Sequence, residues 1–188
     1  FLNNRSFKVR VDKEYSNPRS VLSGVPQGSV LAPLLFLAYT SDLVAGISSK
    51  CALYADDAKI FADPTSNWDT LQSDLHKIAI WSSAWLLPLN EDKCVVLHIG
   101  PNNPLNTYSI NGKLLRSVKS VNDLGVIIND RLTWTQHIDK ICKKANSTIY
   151  ICNKIFSKPS YETTRKLYIM YIRPLLEYAS AIWYPILC

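Results

Sequence analysis

The sequence predicts an α+β fold: a mixed body as far as residue 130, then a helical, basic segment over 131–188. Three observations predict it. Before residue 130, short β-prone runs alternate with Gly, Pro and Asn punctuation. Two stretches, 68–85 and 134–152, instead carry apolar residues at helical spacing. The net charge of +6 lies wholly in the last third: residues 1–130 hold 12 basic and 12 acidic side chains, residues 131–188 nine and three.

The elements follow in order. Phe7-Lys8-Val9-Arg10-Val11 alternates apolar and basic residues, which predicts a half-exposed strand, with Ser16-Asn17-Pro18 as its turn. Val21 to Gln27 reads as a short strand and loop punctuated by Gly24, Pro26 and Gly28. Ser29 is placed to cap a helix running to about Ala45, with Pro33 in its first turn and Gly46 after its end. Asp63-Pro64-Thr65-Ser66 opens a second helix whose buried face takes Trp68, Leu71, Leu75, Ile78 and Trp85, and Pro88 stops it. Trp81 and Trp85 read as packing residues rather than base-stacking platforms. Cys94 to Ile99 is a buried strand. Asn111-Gly112, between Tyr108-Ser109-Ile110 and Lys113-Leu114-Leu115, is a strong hairpin signal, with Tyr108 in a packing role. Val121 to Ile128 reads as one strand, with Gly125 marking a bulge or a close backbone approach. Trp134, Ile138, Ile141, Ala145, Ile149 and Cys152 line one face of a long helix. Ser157-Lys158-Pro159-Ser160 breaks it, a further helix begins near Tyr161 or Glu162, and Pro174 kinks or ends that one.

Between the first two helices stands Tyr54-Ala55-Asp56-Asp57. Runs of β-prone residues flank it, Cys51 to Tyr54 and Ala58 to Phe61. Aspartate avoids strand interiors but suits tight turns, so the simplest reading is a hairpin with both acids at its tip. Adjacent like charges repel, and a hard divalent cation bound through carboxylate oxygens relieves that repulsion. An Asp-rich turn in water is the alternative.

Composition narrows the function classes. With 188 residues and 47% of them hydrophobic, the chain can bury a core. The longest apolar stretch, Val30 to Tyr39, is too short for a bilayer, so no membrane partner is expected. Cys51, Cys94, Cys142, Cys152 and Cys188 show no Cys-x-x-Cys spacing, and His76, His98 and His137 fit no zinc pattern. Such cysteines suit a reducing compartment, nucleus or cytoplasm, and read as small buried hydrophobes. The chain begins at Phe1 and is expected to be a piece of a longer one. Its basic last third suits contact with a polyanion, or else is an ordinary solvated helical surface.

Upstream of the acids stands Ser23-Gly24-Val25-Pro26-Gln27-Gly28-Ser29-Val30-Leu31-Ala32-Pro33. Downstream stand Leu89-Asn90-Glu91-Asp92-Lys93-Cys94 and Asn122-Asp123-Leu124-Gly125-Val126. In this order and spacing the chain resembles the reverse transcriptase of non-LTR (LINE-like, jockey or CR1-type) retrotransposons, over almost its whole length. Arg173-Pro174-Leu175-Leu176-Glu177-Tyr178-Ala179 resembles the stretch that follows the palm in these elements. One departure is Ala32, where relatives often carry Gly.

The resemblance implies a right-hand polymerase: a partial palm over 1–130, an antiparallel sheet backed by helices, then a thumb-like segment over 131–188. Asp56 would ligate two catalytic Mg²⁺ ions, roughly 3.5–4 Å apart, with Asp57 as the neighbouring, supporting acid. Tyr54 and Ala55 would shape the hairpin near the primer terminus. Pro26, Gln27 and Gly28 would lie beside template and incoming nucleotide. Lys93 would serve the nucleotide phosphates as charge partner or proton donor. Leu124, Gly125 and Val126 would form the primer grip. Lys140, Lys143 and Lys144 would hold nucleic-acid backbone. Implied partners are an RNA template, a DNA primer, deoxynucleoside triphosphates and an upstream fingers and palm segment. The family also needs an aspartate from an earlier motif that Asp12 and Glu14 do not match, so the segment alone is expected to be inactive. Taken without the flanking motifs, Gln27 is a turn residue and Lys93 a surface lysine. The competing expectation is a non-catalytic nucleic-acid-binding remnant using the basic helices.

Overall fold

Turn chemistry, rather than long alternating runs, sets the first strands of the computed structural model, which describes residues 2–63 and 68–184. Arg5–Phe7 (β1), Arg10–Val11 (β2), Glu14–Tyr15 (β3) and Arg19–Val21 (β4) form one irregular hairpin, β1 pairing with β4 and β2 with β3. It turns after Asp12, whose φ is +54°, and not at Ser16-Asn17-Pro18. That tripeptide instead interrupts the returning arm, because Pro18 brings no N–H to the ladder. Ser16 bridges the gap: its amide donates to Val9 O at 2.9 Å, and its hydroxyl accepts the Val9 N–H at 2.9 Å. The strand expected over Phe7 to Val11 is therefore two pieces, and both are exposed.

Leu31–Thr40 forms the first helix, α1. Ser29 Oγ accepts the Ala32 N–H at 3.2 Å, as the cap reading required. The helix stops short of Ala45, and the chain continues as turns to Gly46, at φ +76°. Lys50–Tyr54 (β5) and Asp57–Phe61 (β6) pair antiparallel, with Tyr54 opposite Asp57 and Lys50 opposite Phe61.

The next helix, α2, covers Trp68–Ala84; most of its expected opening, Pro64 to Ser66, lies outside the described residues. Its buried positions are Asp74, Leu75, Ile78, Ala79 and Ser82. Trp85 lies beyond the end and stays 41% exposed. The helix closes before Pro88: Leu86 turns left-handed at φ +53°, and the Leu87 N–H reaches Ser82 O at 3.0 Å. Tyr39, Trp81 and Trp85 pack as an aromatic trio, with centroids 5.2–6.5 Å apart, and Trp81 Nε1 donates to Asp42 Oδ1 at 2.9 Å.

Four short strands follow: Val95–Leu97 (β7), Ser109–Ile110 (β8), Lys113–Leu114 (β9) and Arg116–Val118 (β10). β7 and β10 pair in parallel. Asn111 and Gly112 both take positive φ, +51° and +78°, as a type I′ hairpin turn requires, which bears out the hairpin signal. Ser120–Asp123 (β11) and Val126–Asn129 (β12) form a further hairpin. Leu124 (φ +44°) and Gly125 (φ +91°) make its turn, so the expected single strand is two, and Gly125 marks a turn rather than a bulge. The other half of that expectation holds: a Cβ on Gly125 would stand 3.1 Å from Tyr178 Cε1.

The long helix, α3, spans Thr135–Ile155, and its stripe is rotated from the expected one. Ile138 and Ile149 are largely exposed, whereas His137 and Ala145 are buried, with Ile141, Thr148 and Cys152 half-buried between them. Ser160 caps the next helix, α4 (Tyr161–Leu167), its Oγ accepting the Thr163 N–H at 3.2 Å. A π-helical turn, Tyr168–Ile172, leads into α5 (Arg173–Glu177), and α6 (Ser180–Trp183) closes the described chain. The wide turn absorbs the amide that Pro174 lacks, so the helix runs on instead of breaking.

Contacts divide the chain into two compact units: Phe1–Leu89 with Ser109–Gly112, and Asn90–Tyr108 with Lys113–Cys188. The first buries Ala32, Leu75, Ile78, Ala79 and Ile110; the second buries Tyr108, Val126, Ala145 and Trp183. Helices and short strands mix in both, which bears out the α+β class. Among the described residues the strands pair two by two and join no larger sheet, unlike the continuous antiparallel sheet expected. Strands of two to five residues, bounded by positive-φ turns, make few ladder bonds each. No helix among the described residues is long and apolar enough to cross a membrane.

Candidate active site

The Tyr54-Ala55-Asp56-Asp57 hairpin forms as the sequence indicates. Tyr54 and Asp57 are the closing pair, which puts their side chains on one face. Ala55 and Asp56 make the turn, and Ala55 adopts φ +52°. An L-residue other than glycine costs about 1–2 kcal/mol in that region, a strain often found at functional sites. It sets the direction in which the two acids leave the tip. Tyr54, Ala55, Asp56 and Asp57 are all exposed.

The root of this hairpin is held by a residue that sequence reasoning passed over. Asp74 on α2 is fully buried. Its Oδ1 and Oδ2 accept the Ser48 N–H at 3.2 and 3.1 Å, and Oδ2 accepts the Ser49 N–H at 2.8 Å, just before β5 begins. Lys77 Nζ donates to Asp74 Oδ1 at 2.9 Å and to Gly46 O at 2.8 Å. Burial alone would raise the Asp74 pKa. Lys77 and the Ser49 and Ser48 groups outweigh it and hold the value down, at about 2. The Cys51 thiol, in β5, is pushed up by burial and then by the Asp74 charge. The missed signal was an acid on the packed face of α2, with a lysine one turn later. Cys51, Cys94 and Cys152 are half-buried and Cys142 is exposed, so none among the described cysteines is the fully buried hydrophobe expected.

The tip fits a hard divalent cation. Its two carboxylates are adjacent, exposed, and meet no cationic side chain among the described residues. Magnesium takes carboxylate oxygens, one or two per site, and keeps several waters. Among the described residues no cluster of three His, Cys, Asp or Glu side chains gathers here or elsewhere.

Pro26, Gln27 and Gly28 belong to the same unit. The Ser29 N–H donates to Pro26 O at 3.2 Å, and Gly28 has φ +82°, so Gln27 and Gly28 are the central residues of a type II turn. The position of Gly28 in such a turn demands positive φ, which explains glycine there. Arg5 donates through its guanidinium to Gly24 O and Ser23 O, tying the loop to β1. Gln27 and Gly28 are exposed.

The other predicted residues lie in the second unit. Lys93 is exposed in a turn before β7, its amide held by Asn90 O at 3.0 Å and Asn90 Oδ1 at 3.3 Å. Its neighbour Asp92 pairs with Lys113 at 2.6 Å. Leu124, Gly125 and Val126 form the β11–β12 turn and the first residue after it, with Val126 buried. Lys143 and Lys144 are exposed on α3. Lys140, grouped with them by sequence, is engaged internally: its Nζ donates to Asn122 Oδ1 at 2.9 Å and Gly125 O at 3.1 Å. His137 was also missed. It is 1% exposed, its Nδ1 accepts the Ile127 N–H at 3.3 Å, and its Nε2 is buried without a partner. Burial and then Lys140 lower its pKa. Nothing in apolar periodicity picks out a histidine as a core residue.

Comparison with known proteins supplies the family. The family described as reverse transcriptase (RNA-dependent DNA polymerase) matches residues 1–128. Over 97% of its length the chain is 30% identical to the "Probable RNA-directed DNA polymerase from transposon BS" of Drosophila melanogaster. It is likewise 30% identical to the "RNA-directed DNA polymerase from mobile element jockey" of Drosophila funebris, and 27% to the "Probable RNA-directed DNA polymerase from transposon X-element" of Drosophila melanogaster. The chain spans 22% of the length of each of these relatives. No solved structure matches it significantly. The acid-tipped hairpin, the Gln27-Gly28 turn and a family match over more than half its length agree: the chain belongs to the reverse transcriptase (RNA-dependent DNA polymerase) family, as a segment of the non-LTR, LINE-like kind carried by mobile elements.

Proposed function

We propose that this segment carries the primer-end half of an RNA-directed DNA polymerase active site, which adds deoxynucleotides to a DNA primer on an RNA template. The observation that carries the reading is the exposed Asp56-Asp57 pair on a hairpin tip. Asp56 and Asp57 hold Mg²⁺, Asp56 as the principal ligand. Held there, Mg²⁺ would supply Lewis-acid stabilisation of the charge that develops in nucleotidyl transfer. Tyr54 and Ala55 set the approach of the primer terminus to the acids. In the Gln27-Gly28 turn, Gly28 offers backbone bare of a side chain to the templating base and nucleotide. Lys93, whose ammonium meets no acid among the described residues, neutralises or protonates the pyrophosphate. Leu124, Gly125 and Val126 grip the primer, and Lys143 and Lys144 contact backbone phosphates without reading sequence. In this reading 1–130 is a partial palm and 131–188 a thumb-like segment.

The resemblance calls for a further aspartate, and the described residues gather no third acid beside this pair. The reading therefore assigns the isolated segment no extension activity of its own; the partner it needs is the fingers and upstream palm. A second reading, a non-catalytic nucleic-acid-binding remnant, is favoured only by the nine basic against three acidic residues of 131–188. The test joins the segment to the upstream part of a jockey-type relative and measures primer extension on RNA. Mg²⁺-dependent synthesis is expected, with Asp56→Ala reducing it at least about 10²-fold, since even an outer-sphere partner of a metal is worth about 10–100-fold. Salt-sensitive binding without synthesis would establish the remnant instead.

A further inference from the structure

The β11–β12 turn is held from three sides within its own unit. Tyr178, where α5 ends, donates its hydroxyl to Leu124 O at 2.9 Å. Lys140 on α3 donates to Gly125 O at 3.1 Å and Asn122 Oδ1 at 2.9 Å. One turn earlier on α3, His137 accepts the Ile127 N–H at 3.3 Å. The carbonyls of a two-residue turn ordinarily face water, so two side-chain donors converging on Leu124 O and Gly125 O is a built arrangement. Tyr178 is itself fixed. Ala179 takes φ +53° to end the helix there, and Trp183 Nε1 donates to Tyr178 O at 2.8 Å while its ring lies 5.4 Å from His137. The Tyr178 ring lies so close to Gly125 that a Cβ would meet it at 3.1 Å, which gives this position a second reason, besides φ +91°, to be glycine.

We propose that Tyr178 and Lys140 are positioning residues: they lock the Leu124-Gly125 turn in the one conformation that presents it to the primer end, so the C-terminal helices set the geometry of the grip. This rests on the assignment of 124–126 to the primer. Two readouts on the 188-residue chain separate the lock from that assignment. The first is amide hydrogen exchange over 124–127 in Tyr178→Phe, which keeps the ring, and in Lys140→Met. About fivefold faster exchange is expected there, the loss of one hydrogen bond of about 1 kcal/mol, with the thermal midpoint little changed and with Lys140→Arg restoring protection. Unchanged exchange overturns the proposal whatever the turn binds.

The second readout is the affinity ratio for an RNA–DNA hybrid with a recessed DNA 3′ end against the same hybrid closed by a hairpin loop. The wild-type chain is expected to favour the recessed end, and Tyr178→Phe to lose about fivefold of that preference. Faster exchange with no end preference in either protein would leave the lock standing, overturn its role in positioning a primer, and place the fault in the assignment of 124–126.

Discussion

Two hairpins of similar length meet opposite fates in this molecule. The one over 50–61 is anchored at its root and bare at its tip: Asp74 fastens Ser48 and Ser49, while Asp56 and Asp57 stand exposed. The one over 120–129 is clamped at its tip, by Tyr178 on Leu124 O and Lys140 on Gly125 O, and buries Val126 and Asn129. Both turn through a non-glycine residue in the left-handed region, Ala55 and Leu124. In the second, side chains offset that strain. In the first, the two acids at the tip are exposed and meet no cationic side chain among the described residues. The buried acid has three donors, the Ser48 and Ser49 amides and Lys77, and holds backbone in place; the exposed pair has none and is the one for which we propose chemistry.

The largest expected break in this contrast is at the root. Asp74→Ala leaves the Ser48 and Ser49 amides without their acceptor and Lys77 with Gly46 O alone, and should cost about 3 kcal/mol in denaturant unfolding. Acid should act in the same direction. The folded-state pKa is depressed to about 2 from an ordinary 3.8, so this stabilisation is complete above pH 3.8 and is lost as pH falls through about 2. The wild-type chain should lose more stability than Asp74→Asn over that window.

Packing comes next. Val126→Ala should cost about 2 kcal/mol, because the side chain is buried. Leu53→Ala, on the open hairpin and 41% exposed, should cost less than about 0.5 kcal/mol. Equal losses would mean the two hairpins are equally packed. The substitutions in the two turns differ in sign. Ala55→Gly relieves a left-handed alanine and should stabilise by up to about 1 kcal/mol. Gly125→Ala places a Cβ against Tyr178 and should destabilise by about 1–2 kcal/mol.

What was legible in the sequence was local. β-prone runs around an acid pair give the 54–57 hairpin, Asn111-Gly112 gives its turn, and Ser29 gives a cap, because each depends on residues a few positions apart. Pairing over distance was not legible. The hairpin of β1 to β4 turns after Asp12 although Asn17-Pro18 carries the stronger turn signal, since the ladder resumes on both sides of Pro18. Asp74 acts on backbone 25 and 26 residues away, which no spacing rule reaches. The α3 stripe is centred on His137 and Ala145 rather than Ile138 and Ile149, because the surfaces it packs against, not its own periodicity, choose the face. The acidic tip was legible as chemistry: two adjacent like charges on a turn, which a counter-ion would relieve.

The most direct test of that chemistry needs no catalysis. Mn²⁺, a paramagnetic stand-in for Mg²⁺, is titrated into the isotope-labelled 188-residue chain while its amide resonances are followed. The account predicts that the signals of residues 54–58 broaden first, that excess Mg²⁺ restores them, and that Asp56→Asn with Asp57→Asn abolishes the effect. Broadening centred on another part of the chain, or undiminished in the doubly substituted protein, would contradict it.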